Sequence, residues 1–250
     1  MSVWDSYAAR LGGKLNDRNS ILAHEKSVLR RKLPYSLSYH TAVIDGEERQ
    51  LAIINSDNLD IKTMCSLPGE DIRHGALVEW MDNRWLVTEK DANNEVYTRA
   101  KMQQCNYLLR WINPDGQIIE RWSIVSDGTK YLTGTYGDSF YIMERGDTRI
   151  QVIVPLDSET AKLNRHSRFL IDYYGSDNVL AYRLTKPLKL GGNYNDNGIF
   201  SFVMAECNTE SDDNFELHIA DYYKYFPRPD GYTDEIPDLA PESEGRKVWL

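Results

Sequence analysis

The amino-acid sequence predicts an all-β chain with short N-terminal helices: a small antiparallel β-barrel or sandwich, followed by a second β domain and an extended C-terminal tail. Three observations carry this. From Tyr39 onward the apolar residues alternate with polar ones, the period of strands with one buried face. The runs are short and are separated at close intervals by Gly, Asn, Asp and Pro, which points to a barrel or sandwich rather than a parallel α/β sheet. Tyr stands at 16 and Trp at 6, side chains that suit a pleated, half-buried surface and also make strong contacts in assemblies.

Residues 1–38 form a helical segment. Val3, Trp4, Tyr7, Ala8 and Leu11 fall on one helical face, and Gly12-Gly13 ends the pattern. A helix of this length, below the ~12 residues that are marginal in water, must dock on something, so Trp4, Tyr7 and Leu11 are candidate interface residues. A second helix is capped by Asn16 or Asp17 and carries an apolar stripe of Ile21, Leu22, Val28 and Leu29. Arg30-Arg31-Lys32 complement its C-terminal dipole, and Pro34 closes it.

Residues 39–126 read as the barrel-like domain, with one hairpin around Asp45-Gly46 and another around Asp82-Asn83. The strands VYTRAKMQQCNYLLRWI and QIIERWSIV flank the turn Asn113-Pro114-Asp115-Gly116. Residues 127–225 form the second β domain. An ungapped similarity links Arg84 through Arg99 to Arg168 through Arg183, with Trp85 aligned to Phe169; either a duplication or shared alternation explains it. Both rings are expected to face a core. Residues 226–250 carry prolines and acids and form a tail without its own fold, ending in Val248-Trp249-Leu250, where Trp249 is a candidate anchor.

Composition narrows the function. Lys plus Arg number 29 against 38 Asp plus Glu, a net charge of −9 that opposes non-specific binding to phosphate backbones or anionic lipid. No apolar stretch approaches the ~18 residues of a membrane span and the N-terminus lacks a signal-peptide pattern, so the chain is expected to be made in the cytoplasm. Cys65, Cys105 and Cys207 are odd in number and lack CxxC spacing, which suggests buried thiols. His24, His40, His74, His166 and His218 have no metal-ligand spacing. Gly137-Asp138-Ser139-Phe140 resembles the start of a GDS-type esterase block, but Phe215 stands where the accompanying DxxH needs an aspartate. No phosphate-binding loop occurs, and the pairs Glu70-Asp71, Asp212-Asp213 and Asp234-Glu235 read as solvated loops. The sequence therefore assigns no catalytic, cofactor-binding or metal-ligating residue, and no enzymatic activity is expected.

The segment Tyr39 to Arg121 resembles the minor virion structural proteins of siphophages infecting Gram-positive hosts, of the head-closure or head–tail connector (neck) type. The resemblance is carried by the Leu67-Pro68-Gly69-Glu70 turn before Gly75, the Trp85-Leu86-Val87-Thr88-Glu89 strand, and the strand from Cys105-Asn106-Tyr107 to Trp111 ahead of a Asp-Gly turn. It implies a homo-oligomeric ring at the head–tail interface of the virion, in contact with portal, adaptor or tail proteins, through which DNA passes without specific binding. A negative wall suits that passage, because each Lys or Arg contact to a phosphate would add affinity and hence friction. The second β domain departs from a single-barrel head-closure protein, and a tail or baseplate module recognising a host-surface ligand is the alternative reading.

Overall fold

A computed structural model describes residues 18–91, 93–127, 149–172, 179–188, 193–194 and 197–228. The first expected helix with Trp4, Tyr7 and Leu11, the Gly137–Phe140 block and the terminal Trp249 lie outside the described residues. Among those described, the chain is built from thirteen strands and one α-helix, an all-β architecture.

Helix α1 (Arg18–Lys32) is the second of the expected helices. It has no fully buried residue; Leu22, Val28 and Leu29 are half-buried, while Ile21 is exposed. Polar contacts hold it at both ends. The Arg18 guanidinium pairs with Glu95, and that of Arg30 donates to the Pro68 carbonyl at 2.7 Å. A single 3-10 turn, Leu33–Tyr35, then leads into the sheet.

The first six strands are β1 (Tyr39–Ile44), β2 (Glu47–Asn55), β3 (Ile61–Cys65), β4 (Leu77–Trp80), β5 (Asn83–Lys90) and β6 (Arg99–Gln104). They close into an antiparallel barrel in the order β1-β2-β3-β6-β5-β4, which leaves no open edge. The β1–β2 turn is the expected Asp45-Gly46, with φ of +50° and +86°, the left-handed pair that a two-residue hairpin requires. The β4–β5 turn is shifted one residue from expectation. Trp80 pairs with Asn83, so the turn residues are Met81 and Asp82, and the Asn83 amide donates back to the Met81 carbonyl at 2.7 Å. In this register Trp85 and Val87 face the interior beside Ile44, Leu51, Met64 and Met102.

At Cys105-Asn106 the chain passes from barrel to second sheet. Cys105 N–H still donates to Arg84 of the barrel, whereas Asn106 N–H donates to Ser123 of the next body. The Asn106 amide then pairs both ways with the Val125 backbone, at 2.7 and 2.8 Å, standing in for a strand residue.

The second sheet contains β7 (Tyr107–Ile112), β8 (Ile118–Asp127), β9 (Ile150–Pro155), β10 (Arg168–Asp172), β11 (Val179–Leu188) and β13 (Asn197–Cys207), in the order β10-β11-β13-β9-β8-β7, with β12 (Asn193–Tyr194) on β13. Its two outer strands curl back towards each other: the Tyr107 hydroxyl accepts the Asp172 N–H at 3.2 Å and donates to the Leu170 carbonyl at 3.3 Å. Thus β7 and β8, which the sequence reading placed before its boundary at 126/127, pair into the second sheet. The Asn113 turn joins them, its buried amide oxygen accepting the N–H groups of Asp115 and Gln117.

The register also resolves the internal similarity. Arg168 pairs with Arg183, but Trp85 pairs with Gln104, so Arg84 stands opposite Cys105 rather than Arg99. The two segments share alternation, not hairpin geometry.

The bodies are joined by apolar packing. Leu77 and Leu86, on the outer face of the β4–β5 hairpin, meet Trp122, Ile124, Ile153 and Ile199. Beside them Gly75 (φ +77°) lies so close to the second sheet that a Cβ there would stand 1.8 Å from the Gly198 carbonyl oxygen. Gly75→Ala is therefore expected to cost about 2–3 kcal/mol, combining left-handed strain with overpacking against backbone. Denaturant unfolding checks this, and a loss below ~1 kcal/mol would show that the two sheets do not hold this approach.

Candidate interaction surface

The strand directions give the first barrel two rims of opposite character. One is formed by the Asp45-Gly46 turn and the loops between β3 and β4 and between β5 and β6. It is polar: Arg73 donates to both Asp45 oxygens at 3.0 Å, and Lys90 to Asp71 at 2.7 Å. Partial burial pulls the Asp71 carboxyl upward, but Lys90 and the Thr98 hydroxyl outweigh it and hold the group below its ordinary range.

The other rim comprises the connector before β1, the end of β2 with its loop to β3, and the β4–β5 turn. It gathers Tyr35, Leu37, Ile54, Leu59 and Met81, with exposures of 90%, 99%, 45%, 79% and 63%. These are five of the nine large apolar residues exposed among those described. Single exposed apolar residues are ordinary, but a set on one rim marks a contact surface.

Immediately inside this rim, alternate positions point into the barrel mouth. His40 and Trp80 approach to 5.4 Å between ring centroids and Trp80 and Trp85 to 6.0 Å, while the Lys62 ammonium lies 5.9 Å over the Trp85 ring. Trp85 is buried, and its indole N–H meets no acceptor among the described residues. Gln104 completes the mouth by donating to the Asn83 side-chain oxygen at 2.9 Å. The arrangement is an aromatic plug ringed by exposed apolar side chains, the composition of a binding hot spot.

The second sheet bears a cleft of about 290 Å³ between the Asn113-Pro114 turn, residues 159–168 and residues 220–225. Its charges are spent on one another: Lys162 pairs with Glu159 at 2.8 Å and Lys224 with Asp221 at 2.7 Å. His166 lines the cleft, and Ser167 beside it accepts the Asn164 N–H at 3.1 Å. At its floor Arg168 is engaged by Asp213, which corrects the reading of Asp212-Asp213 as a solvated pair: the Asp213 carboxylate is buried. Among the described residues no group of His, Cys, Asp and Glu could hold a metal ion. His74 is buried with Nε2 2.9 Å from the Thr88 carbonyl. Burial pushes the Cys105 thiol up to about 12, an unreactive state near neutrality.

The expected interface residues Trp4, Tyr7, Leu11 and Trp249 lie outside the described residues. Conversely, the sequence reading passed over Tyr35, Leu37, Leu59 and Met81 as connector residues. The available signal was large apolar side chains inside turns, in Leu33-Pro34-Tyr35-Ser36-Leu37, Asn58-Leu59-Asp60 and Trp80-Met81-Asp82, where polar residues are the rule.

Residues 11–104 match the family model of the YomX N-terminal domain, a phage-associated family. The match takes in α1 and the whole first barrel and ends at Gln104, the last residue of β6. Neither the curated proteins nor the solved structures give a match to this chain. The family match suggests a phage protein.

Proposed function

We propose that this chain is a non-enzymatic virion protein that assembles as a ring at the portal–tail junction, a head-closure, neck or connector component that retains or passes DNA and links head to tail. The observation that carries the reading is the set of exposed apolar side chains on one rim of the barrel that bears the phage-associated match. A surface of that kind serves contact with protein, and the functional partners are then further copies of the chain and the portal, adaptor or tail proteins of the same virion. A net charge of −9 supports a channel wall that DNA slides past without sticking.

Imaging of intact particles tests this. The chain is expected as a ring between portal and tail; density confined to the tail tip or baseplate, or a particle lacking the chain, would refute the proposal. One observation favours a second reading, a tail or baseplate module that recognises a host-surface ligand: the half-exposed Tyr225 ring borders the cleft on the second sheet. Glycan-array binding by the soluble subunit would support that module over the ring.

A further inference from the structure

We infer that the mouth of the first barrel is a carboxylate-binding site, filled by an Asp or Glu side chain of a partner protein that lays apolar residues on the surrounding rim. The inference rests on the ring reading above only in taking that partner to be another protein of the virion.

Five strands bring the site together. His40 is the second residue of β1 and Lys62 the second of β3, Trp80 and Gln104 end β4 and β6, and Trp85 is the third residue of β5, so the antiparallel order puts all five at one mouth. Two donors there are unmet. The Trp85 indole N–H has no acceptor among the described residues, and the residue is only 3% exposed. Lys62 is 9% exposed, and its ammonium, 5.9 Å over the Trp85 ring, forms no hydrogen bond or ion pair among the described residues. The neighbouring amides are spent on each other, Gln104 donating to the Asn83 oxygen at 2.9 Å. Buried donors ordinarily find acceptors, and a buried cation above all finds an anion.

The donor set selects the ligand. An indole N–H and an ammonium only donate, so the group they share is an acceptor, and one cation calls for one negative charge. A carboxylate supplies both. A phosphate gathers several cations, and here Asp57, Asp60 and Asp82, exposed on the loops of the same rim, oppose a second negative charge. Solvent and salt screen those three, whereas Lys62 acts at short range from within the barrel. The surroundings assign the carboxylate to a protein. A free small acid would meet the two donors but leave Tyr35, Leu37, Leu59 and Met81 as exposed as before. An Asp or Glu carried between apolar residues covers them as well, a charged anchor inside an apolar ring.

The test follows the indole N–H signals of the full-length chain by proton–nitrogen NMR as end-blocked tripeptides are added. The Trp85 signal is identified by its loss in Trp85→Phe or, if that variant does not fold, by its cross-peaks to the Trp80 ring, whose centroid lies 6.0 Å away. Leucyl-glutamyl-leucine is expected to move this signal downfield and saturably, the mark of an N–H that gains an anionic acceptor. Leucyl-glutaminyl-leucine and sodium acetate are each expected to bind roughly tenfold or more weakly. Lys62→Met keeps the stem and removes the charge, and should abolish the preference for glutamate over glutamine while the other indole signals stay in place. The wild-type preference decides the matter by itself if that variant does not fold. No saturable shift of the Trp85 signal, an equal response to glutamine, or a preference that survives in folded Lys62→Met would overturn the inference. Acetate binding as tightly as the glutamyl peptide would overturn it too, by making this a site for a free acid. None of these results bears on ring assembly, which particle imaging decides separately.

Discussion

Phe169→Ala is expected to lower the unfolding free energy by about 3–5 kcal/mol, the cost of removing a large buried ring and leaving a cavity. Phe169 is fully buried on β10, where it meets Trp111 edge-on at 6.1 Å and stacks on Phe202 at 5.9 Å, with Phe200 5.1 Å beyond. The position matters as much as the size. Trp111 belongs to β7 and Phe169 to β10, the two outer strands of the curled sheet, so this ring fills the seam that backbone pairing does not close. Trp85→Ala should fall at the lower end of the same range, because its indole N–H is buried without an acceptor among the described residues and truncation also removes that penalty. Denaturant unfolding of the soluble chain measures both. A loss below ~1 kcal/mol for Phe169 would mean that the seam is not closed by this ring.

That Trp85 and Phe169 face cores was legible from alternation alone, because a strand's side-chain period fixes the face once its register is known. The Asp45-Gly46 turn was equally legible, since Gly46 adopts a φ of +86° at little cost. The Met81-Asp82 turn was not: both residues take positive φ without any glycine, and the closing barrel, rather than local preference, sets that register. Sheet membership was hidden for a similar reason. VYTRAKMQQCNYLLRWI reads as one continuous strand, yet its partners change at Cys105-Asn106, and a change of partner leaves no mark on the period of a single strand. The apolar rim is assembled from connector residues distant in the chain, so each looked incidental until barrel closure brought them to one end.

Arg168→Met is expected to destabilise the chain by about 3–5 kcal/mol, because it leaves buried carboxylates without their cation. The Arg168 side chain is buried and meets the fully buried Asp213 in a two-pronged pair, Nη1 to Oδ1 and Nη2 to Oδ2, each 2.9 Å. Nη1 and Nη2 also donate to Asp221 Oδ1 and the Asn208 carbonyl, each at 2.9 Å, while Nε lies 3.4 Å from a Glu210 carboxylate oxygen. Burial alone would pull the guanidinium pKa down, but Asp213 and Asp221 more than offset that and hold it above the ordinary arginine value, so the cation stays charged throughout the accessible pH range. Asp213 in turn accepts the N–H groups of Glu210 and Asp221, so residues 208–221 are wrapped around this one charge. Methionine keeps most of the volume, which isolates the electrostatic loss from a packing loss. Arg168→Lys should rescue little, because an ammonium cannot make the two-pronged contact. The double variant Arg168→Met/Asp213→Leu should regain much of the loss, since removing both members of a buried pair is often close to neutral whereas removing one is not. Denaturant unfolding of the three variants gives the energies, and hydrogen exchange over residues 208–228 shows whether this segment opens first. A loss below ~1 kcal/mol for Arg168→Met, or a double variant no better than the single one, would mean that the segment is held by its ring contacts, Tyr222 on Phe226 at 4.7 Å and Arg228 over Tyr223 at 5.2 Å, and not by the buried cation.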